Sequence, residues 1–182
     1  MSVVVLLNGV GSAGKSSIAR AIQIQAARSF LRMSTDAFLE MTPPRYLGHP
    51  DGWVFETLEQ DGRPAIAVHV GVGIRTAFRG MRRAIAAMAD AGNNVVVDEV
   101  IWGDELADYR ALLAAHDFKT VGVLASLDVL ERRERERGDR DVGLARWQFD
   151  RVHAAADYDL TVDTSGASPD ACARQIIEAF GL

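Results

Sequence analysis

Short apolar runs rich in valine alternate along this chain with longer segments of helical periodicity. The apolar runs predict five strands, at 3–8 (VVVLLN), 30–34 (FLRMS), 94–99 (NVVVDE), 120–125 (TVGVLA) and 160–164 (LTVDT). Runs that are apolar at consecutive positions, and not only at alternate ones, are typical of strands covered on both faces of a parallel sheet.

The segments between these runs predict helices at 15–28, 35–41, 74–91, 103–116, 127–137, 142–155 and 169–180. The clearest one places Ile74, Phe78 and Met81 on one stripe and ends at Gly92. Strands that alternate with helices pair in parallel through right-handed crossovers. The pattern therefore predicts a three-layer α/β fold, in which a five-stranded parallel sheet carries helices on both faces.

Residues 43–73 break this alternation. They contain four prolines and several glycines, and within them WVFETLEQDGRPAIAVHV predicts a β-hairpin with QDGR at its turn. We expect this segment to be an insertion that contacts a substrate.

Composition narrows the class of protein. The 182 residues predict one domain, and 48% hydrophobic with 25% charged residues describe a soluble globular chain. A net charge of −5 argues against a general nucleic-acid binder, and no apolar run reaches the length of a membrane span. Cys172 is the single cysteine, so an internal disulfide is excluded and a cytoplasmic location is expected.

The segment GVGSAGKS at 9–16 matches the phosphate-binding (Walker A) loop, between a predicted strand and a predicted helix. Its glycines let successive N–H groups point inward, Lys15 supplies a full positive charge, and the Ser16 hydroxyl is a ligand for Mg²⁺. The predicted nucleotide-binding residues are Gly9, Val10, Gly11, Ser12, Ala13, Gly14, Lys15, Ser16 and Ser17.

Two aspartates follow predicted strands and should lie at the same sheet edge as this loop. Asp98 ends a buried strand, as the second metal ligand does in nucleotide-binding proteins, although it could instead cap the next helix; Glu99 is a less certain neighbour. Asp36 is the candidate base for the proton of an acceptor hydroxyl, although it could instead be a helix N-cap.

The segment ERRERERGDR at 131–140 predicts an arginine lid, spanning about 131–143. Arg133, Arg137 and Arg140 are the candidates for contacting phosphate oxygens, and Gly138 provides a bend. The alternative is a solvated helix with pairs such as Glu131–Arg135. After the last strand, Thr164 is expected to offer a hydrogen bond to adenine.

Four aromatic residues, Trp53, Phe55, Trp102 and Trp147, either line an apolar acceptor pocket or belong to the core. Sequence reasoning leaves both alternatives open for each of them.

Five segments of the chain, in this order, resemble the chloramphenicol phosphotransferase family: LNGVGSAGKSSIA, STDAFLE, VVVDEV, ERERGDR and YDLTVDTS. The resemblance extends from residue 3 to about 180. It implies a P-loop kinase fold similar to nucleotide and shikimate kinases, and ATP- and Mg²⁺-dependent phosphorylation of a hydroxyl. It also implies that Asp36 is the catalytic aspartate, that Gly9 to Ser17 bind the nucleotide, and that the lid arginines lie in 133–140.

The leading interpretation is therefore an ATP-dependent O-phosphotransferase of a small hydroxylated compound, such as chloramphenicol or a related antibiotic. A toxin-like kinase of nucleotide sugars is a second interpretation, but its anionic acceptor should need more basic residues outside the lid than Arg45, Arg63 and Arg75. A third is an ATP-binding sensor without transfer chemistry, against which Asp36 and the lid argue.

Overall fold

The computed structural model of the chain describes residues 1–138, 142–154 and 156–182. Five parallel strands form one sheet, and two antiparallel strands form a separate hairpin. In chain order the strands are β1 (Val3–Asn8), β2 (Phe30–Ser34), β3 (Trp53–Gln60), β4 (Arg63–Val70), β5 (Asn94–Glu99), β6 (Asp117–Leu124) and β7 (Leu160–Asp163). The order across the parallel sheet is β2-β5-β1-β6-β7, so β1 lies at its centre.

Helices cover both faces of this sheet, as the alternation predicts. They are α1 (Lys15–Gln25), α2 (Thr35–Glu40), α3 (Val72–Asp90), α4 (Glu105–Leu112), α5 (Leu127–Arg137), α6 (Leu144–Val152) and α7 (Pro169–Phe180). Along β1, Val3, Val5 and Leu7 pack with residues of α1 and α7. Val4 and Leu6 pack on the other face with α3 and α4. Both faces of β1 are therefore buried, which explains its unbroken apolar run.

Strand register brings polar residues together at the carboxyl edge of the sheet. Asn8 at the end of β1 is level with Glu99 of β5, and Ser34 at the end of β2 is level with Asp98. The chain leaves each of these strands directly into a loop or helix, so the segments after β1, β2 and β5 meet at one edge.

The predicted hairpin is confirmed at 53–70. Its turn residues Asp61 and Gly62 have φ of 53° and 70°, the left-handed values that a tight hairpin turn requires. The Ile66 N–H donates to the Gly143 carbonyl at 3.0 Å, which attaches β4 to the start of α6. A short 3₁₀ helix at Pro44–Tyr46 precedes it.

Element boundaries differ from the predicted ones where local backbone chemistry intervenes. Helix α1 ends at Gln25 and not at 28, because Ala26 has extended backbone angles. Helix α4 is shorter than the predicted 103–116, and β6 begins at Asp117 and not at 120 because it pairs along the whole of β1, starting at Val3. Helix α6 spans 144–152 where 142–155 was predicted. No helix within the described residues is long and apolar enough to cross a membrane.

Candidate active site

The loop after β1 has the backbone that the Walker A pattern predicts. Gly14, at the start of α1, has φ of 92°, and Ser12 has φ of 65°. Gly9 has no room for a side chain, since a Cβ there would lie 2.5 Å from the Val123 carbonyl oxygen. The Ala13 N–H donates to the Val10 carbonyl at 3.1 Å and closes the turn. The loop is thereby curved around the N-terminus of α1, where partial positive charge favours a phosphate.

A cavity of 370 Å³ opens above this loop, here called the phosphate cavity. Six of the nine predicted nucleotide-binding residues line it, namely Gly11, Ser12, Gly14, Lys15, Ser16 and Ser17. Gly9, Val10 and Ala13 lie behind the cavity, and the Val10 and Ala13 side chains are buried in the core. These three residues fix the loop to the sheet.

Lys15 is almost fully buried at the base of the phosphate cavity. Its Nζ donates to the carbonyls of Gly9 at 2.8 Å and Val10 at 3.0 Å. The ammonium group is therefore held against the curve of the loop, where its charge attracts the phosphates of a nucleotide.

Ser16 and Asp98, the two predicted metal ligands, are in contact. The Ser16 hydroxyl donates to Oδ2 of Asp98. Such hard oxygen donors suit Mg²⁺, which keeps several waters and takes its remaining ligands from phosphates. The described residues contain no cluster of three or more His, Cys, Asp or Glu side chains that could hold a metal. The alternative that Asp98 caps the next helix is wrong, because α4 begins after Asp104.

Behind Asp98 lies a buried polar cluster that sequence reasoning missed. The Tyr109 hydroxyl donates to Oε2 of Glu99, and Nη1 of Arg82 lies 3.9 Å from Oε1 of the same carboxyl. Burial raises the pKa of Glu99 to about 8 and also raises the pKa of Tyr109. Arg82 also pairs with Glu105 at 3.5 Å. The sequence offered one indication of this cluster, since Arg82 adjoins the apolar stripe of the predicted helix at 74–91.

Asp36 lies in the first turn of α2, at the junction of the phosphate cavity and a second, larger cavity. The N-cap of α2 is Ser34, whose Oγ accepts from the Ala37 N–H at 3.3 Å. The alternative that Asp36 is the N-cap is therefore wrong. Beside it, the buried Oγ1 of Thr35 has no hydrogen-bond partner within the described residues. Thr35 and Asp36 both line the two cavities.

Arg133 connects α5 to the phosphate loop. Its guanidinium donates to Thr164 Oγ1 at 3.0 Å and to the Thr164 carbonyl at 2.7 Å. The Thr164 hydroxyl in turn donates to the Ala13 carbonyl at 2.9 Å. Both residues line the phosphate cavity, and their contacts join the last strand, the lid helix and the loop.

Of the other lid residues, some line the phosphate cavity and others pack against the body of the protein. Arg137 is exposed and lines the phosphate cavity, and α5 ends at Gly138 with φ of 69°. Arg140 lies outside the described residues. Glu131 does not form the expected pair with Arg135, because it is buried against Arg146.

The second cavity, here called the acceptor cavity, has a volume of 1210 Å³. All three tryptophans of the chain and Phe55 line it, as the pocket alternative predicts, and Trp102 also packs against the core. The rings of Trp102 and Trp147 meet edge to face with centroids 5.7 Å apart. Residues 43–73 supply much of the wall, including Pro43, Pro44, Leu47, Trp53, Phe55, Ile66, Val68, His69 and Val70.

Among the residues that the structure describes, few cations face the acceptor cavity. Of the three arginines that an anionic acceptor would use, Arg75 lines it. Arg63 is 3.5 Å from Glu131 and belongs to a different part of the surface. Asp36, Glu40 and Glu105 also line the cavity, and the Glu105 carboxylate is paired with Arg82.

Comparisons with known proteins identify a family and relatives that are similar to this chain. The family model described as chloramphenicol phosphotransferase-like protein matches residues 2–181. A Mycobacterium tuberculosis (strain H37Rv) protein that carries the name of an O-phosphotransferase is 36% identical over 182 residues, covering 97% of this chain and 81% of the relative.

Solved structures share the fold at low sequence identity. The APS kinase of Mycobacterium tuberculosis, in complex with AMPPNP and APS, has a TM-score of 0.69 at 18% identity, covering 100% of this chain and 98% of that one. The shikimate kinase of Bacteroides thetaiotaomicron has a TM-score of 0.59 at 17% identity, covering 99% of each chain. These likenesses show that the three-layer α/β architecture is that of the P-loop kinases.

Proposed function

The chain belongs to the chloramphenicol phosphotransferase-like family and is a small-molecule phosphotransferase that acts on a hydroxyl group; we propose that its acceptor is an uncharged, largely apolar alcohol, such as chloramphenicol or a related antibiotic. The observation that carries the proposal is the position of Asp36, where the phosphate cavity meets an acceptor cavity walled by aromatic rings.

The phosphate cavity supplies the nucleotide half of the reaction. Backbone N–H groups of the loop and the Lys15 ammonium hold the phosphates of ATP. Ser16 and Asp98 would hold Mg²⁺, since they already place two hard oxygen donors in contact. When bound, the metal neutralises charge on the transferring phosphates.

Asp36 acts on the acceptor. Its carboxylate takes the proton of the acceptor hydroxyl while that oxygen bonds to the γ-phosphorus of ATP. The bond between the γ-phosphorus and the oxygen that bridges it to the β-phosphate breaks, and the products are ADP and a phosphate monoester. An aspartate that lines both cavities is placed to reach the hydroxyl without displacing the nucleotide.

Arginines of the lid stabilise the charge that spreads over the transferring phosphoryl group. Arg137 is exposed on the phosphate cavity and can turn toward this group. Arg133 is hydrogen-bonded to Thr164 and supports the phosphate loop from one side. Arg140 completes the proposed set on the strength of the sequence motif.

The acceptor cavity favours a neutral acceptor over a nucleotide sugar. Its aromatic and aliphatic walls suit an apolar body, whereas the carboxylates of Asp36 and Glu40 would repel diphosphate oxygens. A sensor without chemistry would have no use for a carboxylate at the junction of two cavities.

The experiment is a screen of ADP release over chloramphenicol, other uncharged aromatic alcohols, monosaccharides and nucleotide sugars, with product mass determined for each. We expect turnover with one or more uncharged aromatic alcohols and none with nucleotide sugars. Turnover confined to nucleotide sugars would contradict the proposal in favour of the toxin-like kinase, and MgATP binding without transfer to any compound would favour the sensor.

A further inference from the structure

Helix α6 lies at the wall of the acceptor cavity, and one of its side chains also bonds to the phosphate loop. Gln148 is almost fully buried, and its Oε1 accepts a hydrogen bond from the Gly11 N–H of the phosphate loop at 2.8 Å. Gln148 also lines the acceptor cavity, as do Leu144 and Trp147 on the same helix.

The bond from Gly11 determines the orientation of the Gln148 amide. An N–H donor can bond only to the oxygen of a carboxamide, so the Nε2 group, with two N–H donors, occupies the other end. Within the described part of the chain, Nε2 of Gln148 has no hydrogen-bond partner. A donor at a cavity wall with no protein partner is available to an oxygen of a bound ligand.

The helix that carries Gln148 is firmly held. Both oxygens of the buried Glu134 carboxylate accept from backbone N–H groups at its start, those of Gly143 and Ala145, each at 2.8 Å. Arg146 pairs with the buried Glu131. The Gln148 amide is therefore presented from a rigid element, which is the usual support for a specific contact.

We propose that Gln148 is a positioning residue that joins the two substrates: its Nε2 donates to an oxygen of the bound acceptor while its Oε1 holds Gly11 and thereby the phosphate loop. This inference rests on the proposed function. One amide that contacts both sites makes their occupancies interdependent, so acceptor and nucleotide should each raise the affinity of the other by the same factor.

The variant Gln148→Met keeps the length and volume of the side chain and removes both hydrogen bonds. The matched control is Gln60→Met, since Nε2 of Gln60 donates to Asp150 of the same helix at 3.2 Å on the exposed side. Binding of MgAMPPNP is measured by calorimetry. Binding of chloramphenicol is measured by intrinsic fluorescence, which reports on the acceptor cavity because all three tryptophans line it. Steady-state kinetics use the best alcohol of the screen.

For Gln148→Met we expect KM for the alcohol to rise about tenfold, Kd for MgAMPPNP to rise about fivefold, and the mutual enhancement of binding to disappear, with Gln60→Met unchanged. A purely structural role would lower the melting temperature and leave the mutual enhancement intact, which would overturn the proposal. Wild-type values of both KM and Kd would overturn it equally.

A second measurement does not depend on a stable variant. The side-chain amide signals of Gln148 in the ¹⁵N spectrum of the wild type should shift on saturation with the alcohol, and no shift would count against the contact. If the wild type phosphorylates no compound of the screen, the proposed function fails. The MgAMPPNP affinities then decide the role of Gln148, a raised Kd supporting it and an unchanged Kd overturning it.

Discussion

The two cavities that meet at Asp36 are lined by different kinds of chemical groups. The phosphate cavity consists of backbone N–H groups, one buried ammonium and a serine–aspartate contact, each fixed by the register of the central strands. The acceptor cavity consists of rings and aliphatic side chains, many of them carried by a hairpin outside the parallel sheet.

This difference separates two kinds of specificity. In the proposed function, phosphate recognition rests on a small number of charged and backbone groups, whose loss should stop transfer to any acceptor. Acceptor recognition would rest on the shape of the acceptor cavity of 1210 Å³, where one side chain should change the choice of compound more than the rate of the chemical step. Substitutions on the two sides should therefore have distinct kinetic signatures.

The largest effect should follow from Lys15→Ala. We expect kcat to fall by roughly 10³-fold or more, since the positive charge that would face the β- and γ-phosphates is lost. The fold should persist, because alanine is favourable at the start of a helix. The only other lysine, Lys119, provides the control: it pairs with Asp117 at 2.8 Å, and Lys119→Ala should keep wild-type turnover. Substantial turnover in a well-folded Lys15→Ala protein would contradict the phosphate-loop assignment.

A smaller loss of rate should follow from Arg137→Ala. If the guanidinium stabilises the transferring phosphoryl group, kcat should fall about 10²-fold while the affinity for MgATP changes less. Arg135 lies two residues before Arg137 at the same exposed end of α5 and on a different face of the helix, so Arg135→Ala controls for general loss of positive charge. Equal kcat values in the two variants would assign Arg137 to the solvated face of the helix.

On the acceptor side, Trp102→Leu should raise KM for the alcohol about tenfold and leave Kd for MgATP within about twofold of the wild type, because the removed ring is an apolar wall of the acceptor cavity alone. Phe180→Leu, a substitution in the helix layer on the far side of α1, should leave KM for the alcohol unchanged. A Trp102→Leu protein with normal KM and lowered affinity for MgATP would remove the distinction between the two cavities.

The smallest expected effect is on the pH dependence of the free energy of unfolding. Burial, reinforced by the charge of Lys15, lowers the pKa of His153 below the ordinary value of 6.5. The unfolded chain therefore binds this proton more tightly, and the contribution of His153 to stability is present above pH 6.5 and is lost as pH falls through the folded-state pKa. The free energy of unfolding, measured in urea at pH 8 and pH 5, should fall less in His153→Gln than in the wild type. An identical fall in both proteins would exclude the contribution.

Backbone-determined features were the ones that the sequence predicted well. The valine-rich runs became the parallel sheet because they need cover on both faces, and the loop at 9–16 has the conformation that its glycines permit. The QDGR turn predicted the hairpin for the same reason.

Features that depend on packing between distant segments could not be predicted in this way. The cluster of Arg82, Glu99 and Tyr109 joins α3, β5 and α4, and only the assembled sheet brings them together. Gln148 is one of several glutamines in the sequence, and its contact with Gly11 spans 137 positions. Neither the predicted lid nor the alternative of a solvated helix indicated that Glu131 and Glu134 face inward to hold α6.

The central claim, that Asp36 takes the proton of the acceptor hydroxyl, is tested most directly by Asp36→Asn. Transfer rate to a working alcohol and affinity for MgATP are measured together, with Glu40→Gln as control, since Glu40 lies on the same helix and lines only the acceptor cavity. We predict that Asp36→Asn loses about 10²-fold or more in transfer rate with its affinity for MgATP little changed, and that Glu40→Gln transfers at nearly the wild-type rate. Near-wild-type transfer by Asp36→Asn would contradict the claim, and so would a loss of MgATP binding, which would assign Asp36 to the nucleotide and metal instead.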